Sequence, residues 1–350
     1  MIDSEDPALD LAYTVGVYYY PWYAGDFHGG RYMREHLQPP QPPSLGEYDD
    51  RVPEVIAQHL QWSRAANVSL WVASWWGPGR REDTTLLQGI LPHEELGDMQ
   101  VALFYETSGR IPEFEDMSNV SADIAHMAAN YFDHANYLRI DGRPVLFVYL
   151  TRVLSRNGVL DEAVARMRNA ATDAGYDIYI VGDQVFGQPT NSSALGLLDG
   201  VTNYDVYGSM GAQGYAGQQK VDAYYAAQSK WQKLANAAGA AFVPAATPGF
   251  NDKGVRDGHP AVSRKLTKTS EHGSLFRAML QQAASYTEPA TEHMLLVTSW
   301  NEWHEDTQIE PVVEAAPTSL DGRDGAYSEG LEYEGYGERY LDILREETTR

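Results

Sequence analysis

The chain has 350 residues, 43% of them hydrophobic, with a formal net charge of −23 and a sequence pI near 4.7. That length accommodates one α/β barrel or two smaller domains, and the acidity argues against nucleic acid or an anionic membrane surface as a partner. With no cysteine, disulfides, thiolate nucleophiles and thiolate metal sites are excluded.

Only six of the 26 basic residues are Lys, a balance consistent with a salt-adapted surface. The N-terminus, MIDSEDPALDLAYTV, has no basic n-region and no long apolar h-region. No signal peptide is therefore expected. No stretch approaches the roughly 20 apolar residues of a membrane span. The expectation is a soluble protein, cytoplasmic as the sequence stands, or secreted if a leader has been removed.

Residues 13–20, YTVGVYYY, predict a first strand ending at Pro21, with Tyr18 and Tyr20 on one face by alternation. These tyrosines serve either as aromatic core or as part of a binding surface. Residues 26–53, rich in Gly and Pro, predict a long loop of the kind that tends to carry function. A helical pattern over Pro53–Ala66 leads to a second strand, Val68–Ser74, which runs into Trp75-Trp76-Gly77-Pro78. Two Trp at a strand end make a stacking platform for a sugar ring, or else a core plug. The third strand, Met99–Tyr105, ends on Glu106, a carboxylate at a strand terminus and hence a site candidate.

A helix over Val120–Tyr131 precedes a fourth strand at Pro144–Leu150, and a helix over Leu160–Ala174 precedes a fifth at Ile178–Gly182. A short sixth strand, Asp199–Tyr204, and a helix over residues 219–238 lead to the seventh, Ala241–Ala246. A loop with Asn251, Asp252 and Arg256 follows, then a helix over 270–285 and the eighth strand, Met294–Ser299. Glu329–Glu346 reads as a closing amphipathic helix. Eight strands alternating with helices predict a single (β/α)8 barrel domain over residues 1–350. Tyr20, Trp76, Glu106, Asp183, Tyr204 and Glu302 all fall at or just past strand C-termini, the face on which barrel enzymes work. A doubly wound open sheet is the alternative, but no GxGxxG follows the first strand.

The eighth strand runs directly into Ser299-Trp300-Asn301-Glu302-Trp303-His304-Glu305. Such a polar cluster is costly to bury for structure alone, since each group needs a partner. If the chain turns helical after Asn301, Glu302 and Glu305 share a face with Cβ atoms roughly 5–6 Å apart. Retaining glycosidases hold their two carboxyl groups about 5–5.5 Å apart. A metal hydrolase is the first rival, yet there is no HExxH and His304 has no second His nearby. No GxSxG elbow and no P-loop are present. Carboxylates ringed by Trp and Tyr suit an oligosaccharide or polysaccharide substrate, with neither metal nor cofactor expected.

The motifs Tyr18-Tyr19-Tyr20-Pro21-Trp22-Tyr23, Ser74-Trp75-Trp76-Gly77, Tyr105-Glu106 and Trp300-Asn301-Glu302-Trp303-His304-Glu305, with Thr307-Gln308-Ile309-Glu310-Pro311 after it, resemble glycoside hydrolase family 99. His134-x-x-Tyr137, Asp199-Gly200 with Tyr204, and Pro248-Gly249-Phe250 leading to Arg256 are weaker matches. The resemblance implies a (β/α)8 barrel and a metal-independent retaining endo-α-1,2-mannosidase or endo-α-1,2-mannanase. It implies that Glu302 deprotonates the sugar 2-hydroxyl, giving a 1,2-anhydro sugar, and that Glu305 acts as general acid and then base. Glu106, Trp76 and Tyr204 would line the subsite before the cleaved bond. Tyr18, Tyr20, Trp75, His134, Arg256, Asn301 and Trp303 complete the expected substrate-binding set. Asp306 stands where the family pattern has Gly. The alternatives are a barrel protein of polysaccharide biosynthesis of the kind assigned as a glycosyltransferase, and a sugar-binding barrel without catalysis.

Overall fold

The computed structural model describes residues 13–189 and 192–349. The segment read for a leader lies, up to residue 12, outside the described residues. Eight parallel strands form a ring: β1 (Val15–Tyr19), β2 (Val68–Trp75), β3 (Gln100–Tyr105), β4 (Arg143–Val148), β5 (Tyr179–Asp183), β6 (Gly200–Thr202), β7 (Ala241–Phe242 and Ala245–Ala246) and β8 (Leu295–Val297). Neighbours pair in chain order, and β8 pairs back onto β1 with Val15 opposite Leu295 and Val17 opposite Val297. Closure depends on β7. Its first half pairs with β6 and its second with β8, and the change of partner falls at Pro244, which has no N–H to give to either ladder. The fold is a (β/α)8 barrel.

The strands are apolar over most of their length because they are covered on both faces, as parallel sheets require. Every residue of β1 is buried. Inside the barrel Tyr18 packs on Phe104 at 4.8 Å and edge-on to Tyr204 at 4.9 Å between ring centroids, so aromatic side chains fill the lumen. Outside lie α1 (Pro53–Ala65), α2 (Val120–Asn130), α3 (Leu160–Asp173), α4 (Gly217–Ala237), α5 (Ser274–Ala283) and α6 (Arg339–Thr348). Helix α1 starts on a proline and buries Ile56, His59, Leu60 and Ser63, an i, i+3, i+4, i+7 stripe. The β2–β3 connection is a short helix, Arg81–Thr85, continued by a π turn over Leu86–Ile90, and the β5–β6 connection, among its described residues, has the 3-10 turn Leu195–Leu197.

The structure corrects the C-terminal reading. Residues 329–346 are not one helix: Tyr333–Gly337 is a strand (β10), antiparallel to β9 (Val312–Thr318), and helix begins only at Arg339. Gly335 explains this locally, since a Cβ there would lie 2.2 Å from the carbonyl oxygen of Val313. Glycine is what lets the two backbones approach. The helix predicted from residue 270 starts at Ser274 because Gly273 takes a left-handed conformation, φ 85°, at its entrance. Residues 26–53 form a loop with only two 3-10 turns, as expected. Among the described residues no helix is long and apolar enough to cross a membrane.

Candidate active site

The C-terminal face of the barrel opens into a cleft of about 360 Å³. Tyr20, Trp76, Glu106, Tyr149, Tyr204 and Glu302 reach it, each within a few residues of a strand end. The loop after β8 is fixed before it reaches the two carboxylates. Asn301 uses its side-chain amide as a substitute for backbone, accepting from Tyr20 N at 2.7 Å and donating to Tyr20 O at 3.0 Å. Tyr23 donates its hydroxyl to Asn301 O at 2.8 Å and accepts from Trp303 N at 3.1 Å. Trp303 is itself tied down, its indole N–H donating to Glu310 at 2.9 Å. Glu310 also accepts from Tyr48 at 2.8 Å and faces His59 of α1 at 3.1 Å. A carboxylate with no solvent exposure is tolerable only with such a set of partners.

Glu302 begins a single 3-10 turn, Trp303–Glu305, rather than an α-helix, and its carboxylate caps it. Oε1 accepts from His304 N at 3.1 Å and meets His304 Nδ1 at 3.1 Å, while Glu302 N donates to Ser299 Oγ at 2.9 Å. Glu305 lies at the other end of the turn. Its Oε1 is 3.3 Å from Arg256, which also pairs with Asp252 at 3.1 Å. Its Oε2 is buried without a hydrogen-bond partner among the described residues. Burial, reinforced by the charge of Glu302 and opposed by Arg256, pushes the Glu305 carboxyl up to about 8.

Glu106 is pushed up to about 8 as well, by burial first and by the charge of Glu302 among others, against a hydrogen bond from Ser74. Ser74 donates to Glu106 at 2.7 Å and accepts from the Trp76 indole at 2.9 Å, so one hydroxyl orients both a carboxyl and a ring. The Tyr20 and Tyr204 hydroxyls are hydrogen-bonded to each other across the cleft.

Of the residues expected from sequence, Tyr20, Trp76, Glu106, Tyr204, Arg256, Glu302 and Glu305 line the cleft together. Asn301 and Trp303 lie behind it as the supports just described. Tyr18 is wholly buried in the lumen, under Tyr204. Trp75 points the other way from Trp76, as neighbours on a strand must, and its indole donates to Asp83 at 2.9 Å within the layer between sheet and helices. His134 is at the opposite end of the barrel, in the turn whose Asn136 carbonyl receives the amide of Val101 at the start of β3. Asp183 is a brace, accepting from Tyr204 N at 3.0 Å and Leu150 N at 3.2 Å and pairing with Arg152. The cleft also holds His28, Arg31, Phe104, Ser108, Tyr149 and Val255, which sequence reasoning did not single out. Only the Gly/Pro-rich composition around His28 and Arg31 signals them.

A (β/α)8 barrel whose mouth carries carboxyl groups among aromatic rings is the architecture of a glycoside hydrolase. The model of "Glycosyl hydrolase family 99" matches residues 26–333, and the chain belongs to that family. It is a glycoside hydrolase acting on glycans. The chain is 24% identical over 341 residues to glycoprotein endo-alpha-1,2-mannosidase of Mus musculus, covering 87% of this chain and 69% of the mouse protein. It is 23% identical over 343 residues to glycoprotein endo-alpha-1,2-mannosidase-like protein of Homo sapiens, covering 87% and 70% respectively. The solved structure of the GH99 endo-alpha-mannosidase from Bacteroides thetaiotaomicron in complex with bis-tris-propane superposes with a TM-score of 0.66 at 22% identity, covering 95% of each chain, a likeness of fold.

Proposed function

We propose that the protein is a retaining, endo-acting α-mannosidase cleaving α-1,2-mannosidic linkages, with the whole catalytic apparatus in one barrel domain. Glu305 is the general acid and then the general base. Glu302 deprotonates the sugar 2-hydroxyl, which attacks C1 and expels the leaving group as a 1,2-anhydro sugar forms; water then opens that ring with Glu305 as base. The observation that carries the reading is the asymmetry of Glu305: one oxygen anchored by Arg256, the other buried at the cleft and unpartnered, on a carboxyl that keeps its proton near neutral pH. A proton held there is available to a leaving oxygen. Glu302, by contrast, has one carboxylate oxygen that accepts from the His304 amide at 3.1 Å and faces the His304 ring Nδ1 at 3.1 Å. Trp76, Tyr20 and Tyr204 offer stacking faces and hydroxyls to the sugar.

The test is a panel of α-1,2-, α-1,3- and α-1,6-linked manno-oligosaccharides and the corresponding α-glucosides, with early products followed by proton NMR. The α-1,2-linked mannosides should be cleaved internally, releasing the α-anomer first. Early release of the β-anomer, or preference for a different linkage, would overturn the reading.

A further inference from the structure

We infer that His304 is a positioning residue for Glu302, gripping one carboxylate oxygen so that the other is presented to the sugar. The inference rests on Glu302 acting as the base. Both contacts at 3.1 Å, from the His304 amide and ring Nδ1, converge on Oε1. Oε2 accepts no hydrogen bond from protein among the described residues. The ring cannot easily swing away. It stacks on His28 at 5.1 Å and 18°, lies nearly parallel to Tyr23 at 5.9 Å, and meets Trp22 edge-on at 5.9 Å. His28 is in turn held by its Nε2 at 2.9 Å from the carbonyl of Trp22. A carbonyl only accepts, so that nitrogen carries the hydrogen.

The same reasoning fixes the tautomer of His304. Facing a carboxylate, Nδ1 carries the hydrogen, and a neutral ring leaves Nε2 as an acceptor. Burial and the adjacent His304 both lower the pKa of His28, so the stacked pair resists a second positive charge. The groups that face Glu302 from other elements are Glu106 after β3, Tyr204 after β6, Tyr20 and Tyr23 after β1, His28 in the long loop, and Glu305 on its own turn. The two His304 contacts on Oε1 fix how the Glu302 carboxylate is turned within this ring of groups.

The experiment compares His304→Phe, which keeps the stacked ring and loses the donor, with His304→Asn, whose Nδ2 replaces Nδ1 as a donor. Glu302→Gln is run alongside. His304→Phe should lower kcat roughly 10- to 100-fold, the scale of one hydrogen bond to a charged group, with KM nearly unchanged. The acid limb of its kcat/KM profile should move to higher pH, because the base becomes harder to ionise. His304→Asn should recover most of kcat and return the limb. An unmoved limb in His304→Phe, or equal losses in Phe and Asn, would overturn the inference. If His304→Phe does not fold, His304→Ala takes its place with the same expectations. Activity remaining in Glu302→Gln would instead overturn the function reading, whatever the His304 variants do.

Discussion

Asp306 and Arg264 form an ion pair at 3.2 Å with both side chains only 1% exposed, one residue beyond Glu305. Arg34, from the long loop, pairs with the same carboxylate. Asp306 sits in the left-handed region at φ 48°, ψ 35°. Here the backbone cost of a side chain is met by a carboxylate that two buried arginines require. Removing it leaves both guanidiniums uncompensated. Asp306→Ala should therefore cost about 3–5 kcal/mol of stability, measured by urea unfolding. Although burial opposes it, Arg264 and Arg34 hold the Asp306 carboxyl below its usual range. Its contribution is thus fully present above the unfolded value of about 3.9 and is lost as pH falls through the folded value. Asp306→Asn should lose that part of the acid sensitivity.

As the proposed general acid, Glu305, with its carboxyl raised to about 8, should set the alkaline side of activity. The acid must be protonated, so kcat/KM should fall as pH rises through about 8. Arg256 opposes the rise, from 3.3 Å. Arg256→Gln should move the alkaline limb to still higher pH while lowering overall activity, because Glu305 also loses its anchor. A limb that moves down, or stays fixed, would contradict the assignment of Glu305 as acid.

Trp76 rests against Gly109, where a Cβ would lie 2.4 Å from Trp76 Cε3. Gly109→Ala should push the indole out of its place and break its bond to Ser74. The expected result is a several-fold rise in KM with a smaller change in kcat, since the ring is proposed to contact substrate rather than the transferred proton. Steady-state kinetics on one oligosaccharide decide it.

The net charge of −23 leads to a salt effect. Repulsion among acidic groups destabilises the compact state and is screened over a Debye length of about 10 Å at 0.1 M and 3 Å at 1 M. Melting temperature should rise with NaCl up to molar concentrations. A flat or falling curve would remove the argument.

The barrel was legible because buried parallel strands are nearly continuous apolar runs, and each of the eight stands out from its surroundings. Residues at strand ends were legible for the same reason: Tyr20, Trp76, Glu106, Tyr204 and Glu302 follow directly from where the runs stop. Trp75 shows where adjacency misleads, since strand alternation sends only one of two neighbouring Trp into the mouth. His134 precedes a strand rather than following it, and so lies at the wrong end of the barrel for this cleft. The β9–β10 hairpin was hidden because Tyr340, Leu341, Ile343 and Leu344 dominate the pattern around 329–346, while the cause of the strand, the approach of Gly335 to Val313, is a long-range contact. His28 and Arg31 were hidden in a loop whose path depends on pins such as Tyr48 to Glu310 and Arg34 to Asp306.

The central claim, that Glu302 acts on the sugar 2-hydroxyl and not on C1, is tested most directly by intact-mass spectrometry after incubation with an activated 2-deoxy-2-fluoro α-mannoside. Without a 2-hydroxyl the base has no proton to remove and no intermediate can form. The account predicts an unmodified protein mass and negligible turnover, with the parent 2-hydroxy compound consumed under the same conditions. An ordinary carboxylate nucleophile would trap the fluoro sugar as a glycosyl-enzyme. A stable adduct mapped to Glu302 would contradict the account.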